Sequence, residues 1–398
     1  MKTKMKKQLL LGVSGGIAVY KALEIVSLLI KKDIDVNVIM TESATQFVTP
    51  LSFQSLSQNM VTCDMFTEPK AFEIQHISLA EKADVFLVAP ATANIIGKIA
   101  NGIADDMLST TIMATKAKVI FAPAMNTNMY NNLIVQDNIK KLKSFGYEFI
   151  EPTEGRLACG TIGKGKLESP QVIVDRVLME LNEKKDLLNK NVLVTAGPTI
   201  AAIDPVRFIT NRSSGKMGYA IAKEARNRGA IVTLITGPTY LEPPLNIDVI
   251  KVSTNEEMKN EVLKRFNCTD IVIKAAAVAD YKPKNYSLQK IKKSNGELCI
   301  DLVRDNDILM ELGNRKEKQI LVGFAAESQS LKENAISKLK KKNLDYIVAN
   351  DITATDTGFA AEDNKVIILS KEGIEIHLDK MSKEDIASNL FDIILEKR

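Results

Sequence analysis

The chain has 398 residues, 45% of them hydrophobic and 26% charged, enough for two or three domains with real cores, which excludes a stapled miniprotein or a disordered chain. Its 53 Lys plus Arg against 49 Asp plus Glu leave a net charge of only +4, without the basic excess that drives nucleic-acid binding. Four cysteines lacking any CxxC-type spacing and two histidines, His76 and His377, exclude a disulfide framework or a zinc cluster, fit a reducing cytoplasmic setting, and leave any divalent cation to arrive with a phosphate ligand.

The opening segment, MKTKMKK before LLLGVSGGIAV, has the outline of a signal peptide. Gly12, Gly15 and Gly16 interrupt its apolar run, and Lys21 and Glu24 follow in an amphipathic stretch, so strand, glycine loop and helix is the simpler reading. No stretch nears the ~20 apolar residues of a membrane span. Short apolar runs at 8–13, 35–40, 84–89 and 118–122 read as buried strands separated by helix-length amphipathic runs. That alternation predicts a mostly parallel sheet covered by helices. The polar segment 181–190, LNEKKDLLNK, reads as a helix end running into a linker, dividing the chain into domains 1–189 and 190–398. The second half repeats the logic, with strands expected at 191–195, 230–236, 247–252, 270–274 and 346–350. The fold expected is α/β, with two doubly wound, Rossmann-like domains.

Gly12-Val13-Ser14-Gly15-Gly16 follows a strand and opens a helix, so its amides and the positive helix end can hold a phosphate. It is not the dinucleotide fingerprint, because Ser14 stands where GxGxxG needs glycine and Thr41 ends the second strand in place of an acidic residue. A mononucleotide phosphate is favoured, although the glycines alone equally fit a tight turn. The loops 89–94, 101–109 and 123–130 also sit where strand ends gather. Each singly is ordinary turn chemistry, and their shared location makes them site candidates. His76, in IQHISLA, reads by itself as a packed, hydrogen-bonded histidine. Cys159 lies in the glycine-rich stretch LACGTIGKGKL, which reads as a flap carrying a thiol.

In the second half a long loop, 203–214, leads into Gly215-Lys216-Met217-Gly218. Thr210 and Met217 break the Walker A pattern, but amides and Lys216 can still meet an anion. The stretch 271–293 places alanines at a strand end, then Asp280, then Lys290, Lys292 and Lys293. Lys338 and Lys342, four apart, share one helix face. These lysines fit a solvated surface, or together a triphosphate.

Taken in order, GVSGGIAVYKA, the His76 segment, PATANIIGKIANGIADDMLS, PAMNTNMY and ACGTIGKGKL resemble the flavin-dependent phosphopantothenoylcysteine decarboxylases over nearly all of residues 7–180. Loss of carbon dioxide from a cysteine carboxylate needs an electron sink, and in that family FMN supplies it by oxidising the substrate thiol to a thioaldehyde, leaving an enethiol after decarboxylation. The resemblance implies a flavodoxin-like, FMN-binding flavoprotein domain. It makes His76 the base near the flavin, Asn126 the clamp on the substrate carboxylate, and Cys159 the acid that protonates the enethiol. Ser14, Gly15, Gly16, Thr41, Thr92, Ala93, Asn94 and Ser109 are the implied FMN contacts. Tyr130 departs from the tryptophan usual in the family.

TAGPT with IDPVRFITNRSSGKMG, AAVADYKP, KIKK, VGFAAES and KKNLDYIVAND likewise resemble the phosphopantothenate-cysteine ligase domain, over residues 190 to about 370. Bacterial and archaeal members use CTP to make an acyl-cytidylate, from which the cysteine amine displaces CMP. The resemblance implies a nucleotide-binding ligase domain in which Asn211 meets the acyl-cytidylate and Lys290 acts on the triphosphate and its transition state. Asp280, Phe324, Lys338 and Lys342 are implied CTP ligands, Lys274, Ala275, Ala276, Asn306, Asp307, Ile308 and Leu309 complete the pocket, and Mg2+ rides on the phosphates with its protein ligands unassigned. Two departures stand out: Asn306-Asp307 replaces a proline-aspartate pair, and Lys274 replaces a small residue.

The sequence thus predicts a bifunctional coenzyme A biosynthesis enzyme acting on small molecules, with no nucleic-acid or membrane partner. The resemblance implies a homo-oligomer with trimer contacts in the first half and dimer contacts in the second. A flavin-binding regulatory protein is disfavoured by the joint presence of His76, Asn126 and Cys159, and a nicotinamide dehydrogenase by Ser14 and the missing acidic ribose partner.

Overall fold

The apolar runs become strands buried on both faces, as a parallel sheet covered by helices requires. The computed structural model describes residues 6–66, 74–158, 160–292, 298–327, 331–351 and 363–396. The chain divides into two units, Met1–Glu183 and Lys184–Arg398.

In the first unit the order is β1 (Gln8–Val13), α1 (Val19–Ile30), β2 (Asp35–Met40), α2 (Glu42–Thr45), α3 (Pro50–Ser57), β3 (Val61–Thr62), α4 (Gln75–Lys82), β4 (Val85–Ala91), α5 (Ala93–Ala100) and α6 (Met107–Ala114). There follow β5 (Lys118–Pro123), α7 (Thr127–Asn131), α8 (Leu133–Ser144), β6 (Glu148–Phe149), β7 (Thr153–Arg156), β8 (Ile162–Lys166) and α9 (Pro170–Leu181). Six strands form a parallel sheet in the order β3-β2-β1-β4-β5-β6. This is the doubly wound architecture expected, with the reversal between β1 and β4. Apart from the two-residue edge strand β3, the remaining five strands follow the 2-1-3-4-5 order of flavodoxin, as expected, with a ligand loop at the switch point. On α1, Val19, Ala22, Ile25, Val26 and Leu29 are buried at helical spacing against one face of the sheet. α9 starts on a Ser169 cap with Pro170 at its first position.

The second unit runs β9 (Asn191–Ala196), β10 (Ile200–Ala202), β11 (Phe208–Thr210), α10 (Lys216–Asn227), β12 (Ile231–Thr236), β13 (Asp248–Lys251), α11 (Asn255–Phe266), β14 (Ile271–Lys274) and β15 (Tyr281–Pro283). It continues with β16 (Leu302–Arg304), α12 (Ile308–Arg315), β17 (Ile320–Glu327), α13 (Leu331–Lys341), β18 (Tyr346–Asp351), β19 (Asp363–Ser370), β20 (Glu375–Ser382) and α14 (Lys383–Leu395). The eight-stranded sheet has the order β13-β12-β9-β14-β17-β18-β19-β20, parallel as far as β18 and antiparallel beyond. Its switch point lies between β9 and β14, the counterpart of β1 and β4. One face packs under α10 and α14 and the other under α11, α12 and α13.

Candidate active sites

At the first switch point Ser14 ties two loops together. Its Oγ donates to the Pro90 carbonyl at 2.7 Å and accepts from the Thr92 amide at 3.0 Å. α1 begins with Ala18 as a cap that offers no side-chain hydrogen bond. The Val19 and Lys21 amides bond back to the Gly16 and Ala18 carbonyls at 3.0 Å, so the amides offered to an anion are those of the glycine loop before the helix. A side chain on Gly15 would meet Ser43 at 2.4 Å, so glycine is required for this close approach.

These residues border a cavity of about 630 Å³, within the roughly 300–1,000 Å³ of ligand pockets. Gly16, Thr92, Asn126 and Arg156 contribute its polar side, and Ile17, Met125, Met129, Leu157 and Leu167 an apolar one. An anion-holding loop beside an apolar slot fits a flavin mononucleotide, with Gly15, Gly16 and Thr92 placed for the phosphate end and the methionines and leucines for a ring. Lys21 lies on the same wall and donates to the Leu167 carbonyl at 2.9 Å, with burial first and Lys166 second lowering its pKa.

Asn126 caps α7, its Oδ1 accepting from the Asn128 amide at 2.8 Å, which fixes the plane of its own amide. The glycine-rich stretch predicted as a flap is the β7–β8 hairpin, and β8 lies directly on the Asn126 loop, with the Met125 amide bonded to the Gly165 carbonyl at 2.9 Å. Gly165 has φ +145°, and a Cβ there would come within 2.3 Å of the Met125 carbonyl oxygen. The hairpin base is anchored by Glu151, which accepts from Tyr130 Oη at 2.5 Å, Lys143 at 2.8 Å and Lys164 at 3.0 Å. Lys164 also sits 5.4 Å from the Tyr130 ring centre. Partial burial opposes ionisation of Glu151, but hydrogen bonds from Lys143, Tyr130 and Lys164 outweigh it and hold the carboxyl at about 2. Burial and then Glu151 push the Tyr130 hydroxyl upward.

The other predicted residues of this half do not line that cavity, although Ser14 backs it through its bond to Thr92. Ser14 and Ser109 are 2% and 0% exposed; Ser109 forms a capping box with Asp106 at the start of α6. Thr41 lines a second cavity of about 370 Å³ together with Cys63 and Asp106. Ala93 and the exposed Asn94 lie in the first turn of α5. His76, half-buried, is the second residue of α4, whose Gln75 bonds Thr62 at 2.9 Å, and it does not line the 630 Å³ cavity. Cys159 lies outside the described residues; its neighbours Leu157 and Ala158 line the cavity. Sequence reasoning missed Lys21, although a lysine in the first turn after a glycine loop is itself a phosphate signal.

At the second switch point a cavity of about 410 Å³ gathers Asn211, Lys274, Ala275, Ala276, Asp280, Asn306, Asp307, Leu309, Phe324, Lys338 and Lys342. The loop before α10 forms one wall, and Gly218 lets that helix press onto β9, since a Cβ would meet the Thr195 carbonyl oxygen at 2.9 Å and the Ala196 Cβ at 2.5 Å. Asn211 Nδ2 donates to the Ala277 and Val278 carbonyls at 3.1 and 2.9 Å, joining this loop to the alanine run. Asp307 caps α12 by accepting from the Met310 amide at 3.0 Å, and it pairs with Lys342 at 2.8 Å. Two predicted residues stand outside the cavity. Ile308 is buried in the core, and Lys290 is exposed on the segment between β15 and β16. That segment is held by Asp204, which accepts from the Ile291 amide at 3.1 Å.

Asn350, Asn364 and Lys383 line the same cavity and were not foreseen. Lys383 Nζ donates to Asn364 Oδ1 at 3.1 Å, and the buried Oδ1 of Asn350 has no partner among the described residues. Among the described residues no cluster of three or more His, Cys, Asp or Glu is arranged to hold a metal, and no helix is long and apolar enough to cross a membrane.

Two family models match the chain: "Flavoprotein" over residues 1–182 and "DNA/pantothenate metabolism flavoprotein C-terminal domain" over 187–397. The coenzyme A biosynthesis bifunctional protein CoaBC of Bacillus subtilis is 51% identical over 98% of this chain and 96% of its own length. Its namesake from Borreliella burgdorferi is 46% identical over 98% of this chain and 99% of its own. A crystal structure of the C-terminal domain of a CoaBC protein is 43% identical, covering 54% of this chain and 97% of that one with a TM-score of 0.47.

Proposed function

Because the chain belongs to the family of bifunctional coenzyme A biosynthesis proteins, we propose that its second unit joins 4'-phosphopantothenate to cysteine with CTP, and that its first unit decarboxylates the product with FMN to 4'-phosphopantetheine. The observation that carries this reading is that each unit has a cavity at the switch point of its own sheet, and each cavity is lined by that half's own motif residues.

In the second unit the substrate carboxylate attacks the α-phosphorus of CTP and pyrophosphate leaves. The cysteine amine then attacks the acyl carbon, CMP departs, and the amine proton is lost to solvent. Little covalent chemistry falls to the protein, so positioning and charge dominate. Lys338 and Lys342 offset the polyphosphate charge, Lys290 acts on the triphosphate and its transition state, and Asn211 holds the acyl-cytidylate against the alanine loop. Mg2+ enters bound to the phosphates.

In the first unit a bound FMN would supply the two-electron oxidation that turns the thiol-bearing carbon into an electron sink and, once carbon dioxide has left, would return the same two electrons, so that no net oxidation remains. Asn126, its amide oriented by the Asn128 N–H, holds the departing carboxylate. His76 takes a proton near the flavin, and Cys159 returns one to the enethiol. His76 and Lys290 do not line the cavities of their own chain, which is what the homo-oligomer implied by the family, with trimer contacts in one half and dimer contacts in the other, would remedy.

Separation-of-function variants test the reading. Lys290→Gln is expected to abolish CTP-dependent pyrophosphate release and leave decarboxylation of supplied phosphopantothenoylcysteine intact. Cys159→Ser is expected to release carbon dioxide without forming the saturated thiol. Normal phosphopantetheine output from Cys159→Ser, or undiminished pyrophosphate release from Lys290→Gln, would contradict the assignment.

A further inference from the structure

We propose that Lys274 reads the nucleobase, its ammonium donating a hydrogen bond to the ring carbonyl of a pyrimidine held against the start of α12, so that CTP is favoured over ATP. The inference rests on the ligase reading above and assigns the residue that sets its nucleotide preference.

Direction comes from the strand. Ile271 and Ile273 of β14 pack into the core under α10, and Val272 into the core under α11, α12 and α13. Lys274, two residues beyond Val272, leaves the sheet on the same face as Val272. It therefore points away from the α10 start, where amides suit phosphate, and toward the start of α12. Lys274 is 7% exposed and lines the 410 Å³ cavity, yet its ammonium has no hydrogen-bond or ion-pair partner among the described residues. Asp307, the nearby carboxylate, is already engaged by Lys342 and by the Met310 amide.

A buried ammonium without a partner is costly, and that cost is relieved when a ligand supplies an acceptor. An ammonium only donates. The cytosine ring presents a carbonyl oxygen and a ring nitrogen as acceptors, whereas adenine has no carbonyl. Burial first and then Lys342 bring the Lys274 ammonium down to about 8, against the pull of Asp307 and Asp280, and Arg212, Lys216, Lys338 and Lys383 are the other charged side chains of the cavity. Lys274 is accordingly charged at pH 7 and loses its proton as the pH rises past 8.

The test is calorimetric titration of the full chain with CTP and with ATP, without cysteine or phosphopantothenate, at pH 7 and pH 9. The wild type is expected to bind CTP more tightly than ATP and to lose CTP affinity several-fold at pH 9. Lys274→Met should weaken CTP binding about tenfold at pH 7, the worth of one charge-assisted hydrogen bond, abolish the pH slope and leave ATP binding within about twofold. Its thermal midpoint should not fall, because an unpaired buried charge has been removed. Lys274→Gln, which keeps a donor without the charge, should also lose the slope. Unchanged CTP affinity in both variants, or equal weakening toward CTP and ATP, overturns the inference while the ligase reading stands. A wild-type chain that binds neither nucleotide overturns both.

Discussion

Glu151 accepts from Tyr130, Lys143 and Lys164, and of these only Lys164 belongs to the β7–β8 hairpin. Each pair is partly exposed and worth at most about 1 kcal/mol, but the three share one carboxylate and act together. Glu151→Gln is therefore expected to raise amide exchange in residues 160–166 several-fold at pH 7, read by hydrogen-exchange mass spectrometry; unchanged protection would show that the hairpin holds without this anchor. The carboxyl is held at about 2, below its unfolded value near 4.3, so the anchoring is present above that unfolded value and is lost only as pH falls toward 2. Hairpin protection, corrected for intrinsic exchange, should accordingly match at pH 5 and pH 8. At this scale the sequence revealed the motif residues, because Asn126, Asn211 and Asp280 sit in distinctive local strings. It hid Glu151, Asn350, Asn364 and Lys383, whose roles arise from contacts between segments far apart in the chain. Asn364, for example, reaches the second cavity through the antiparallel pairing of β18 with β19.

At the level of elements, two glycines hold backbone against backbone at the sites. Gly165→Ala combines a strained φ with a clash on the Met125 carbonyl, a cost of about 1–3 kcal/mol. It should displace the Asn126 loop and reduce decarboxylation while CTP-dependent ligation persists. Gly218→Ala should do the reverse by lifting α10 from β9. Paired assays of each variant check both, and loss of the two activities together would point to general misfolding. The parallel strands were legible because burial on both faces writes them as continuous apolar runs: 8–13 and 35–40 are found as predicted, and 84–89 runs on to Ala91. β17 was missed because Gly323, Ala325 and Ala326 have weak strand preference. The β19–β20 pair carries alternating burial of a different period, and the glycines of β8 concealed its hairpin.

For the molecule as a whole, the second unit is locked by Arg228, whose side chain is fully buried. It bonds Glu224 and Asp392 at 2.7 Å each and Asp186 at 3.1 Å, joining the start of the unit, α10 and α14. Arg228→Met removes the cation these partly exposed carboxylates share, Asp392 keeping Lys184, at a cost of about 1–3 kcal/mol. It should lower the melting point of the ligase half while the first half keeps its flavin absorbance; simultaneous loss of flavin would show that the halves do not stand separately. Closed symmetries that combine three-fold and two-fold contacts hold copies in multiples of six, so light scattering should return such a mass, and a monomer would remove the proposed sharing of His76 and Lys290. The most direct measurement of the bifunctional account is to incubate the full chain with 4'-phosphopantothenate, cysteine, Mg2+ and CTP and to follow the acylated products by mass. The account predicts phosphopantothenoylcysteine, then 4'-phosphopantetheine, with CMP and pyrophosphate released together. Substrate left unjoined, or a ligation product that never loses carbon dioxide in flavin-loaded protein, would contradict it.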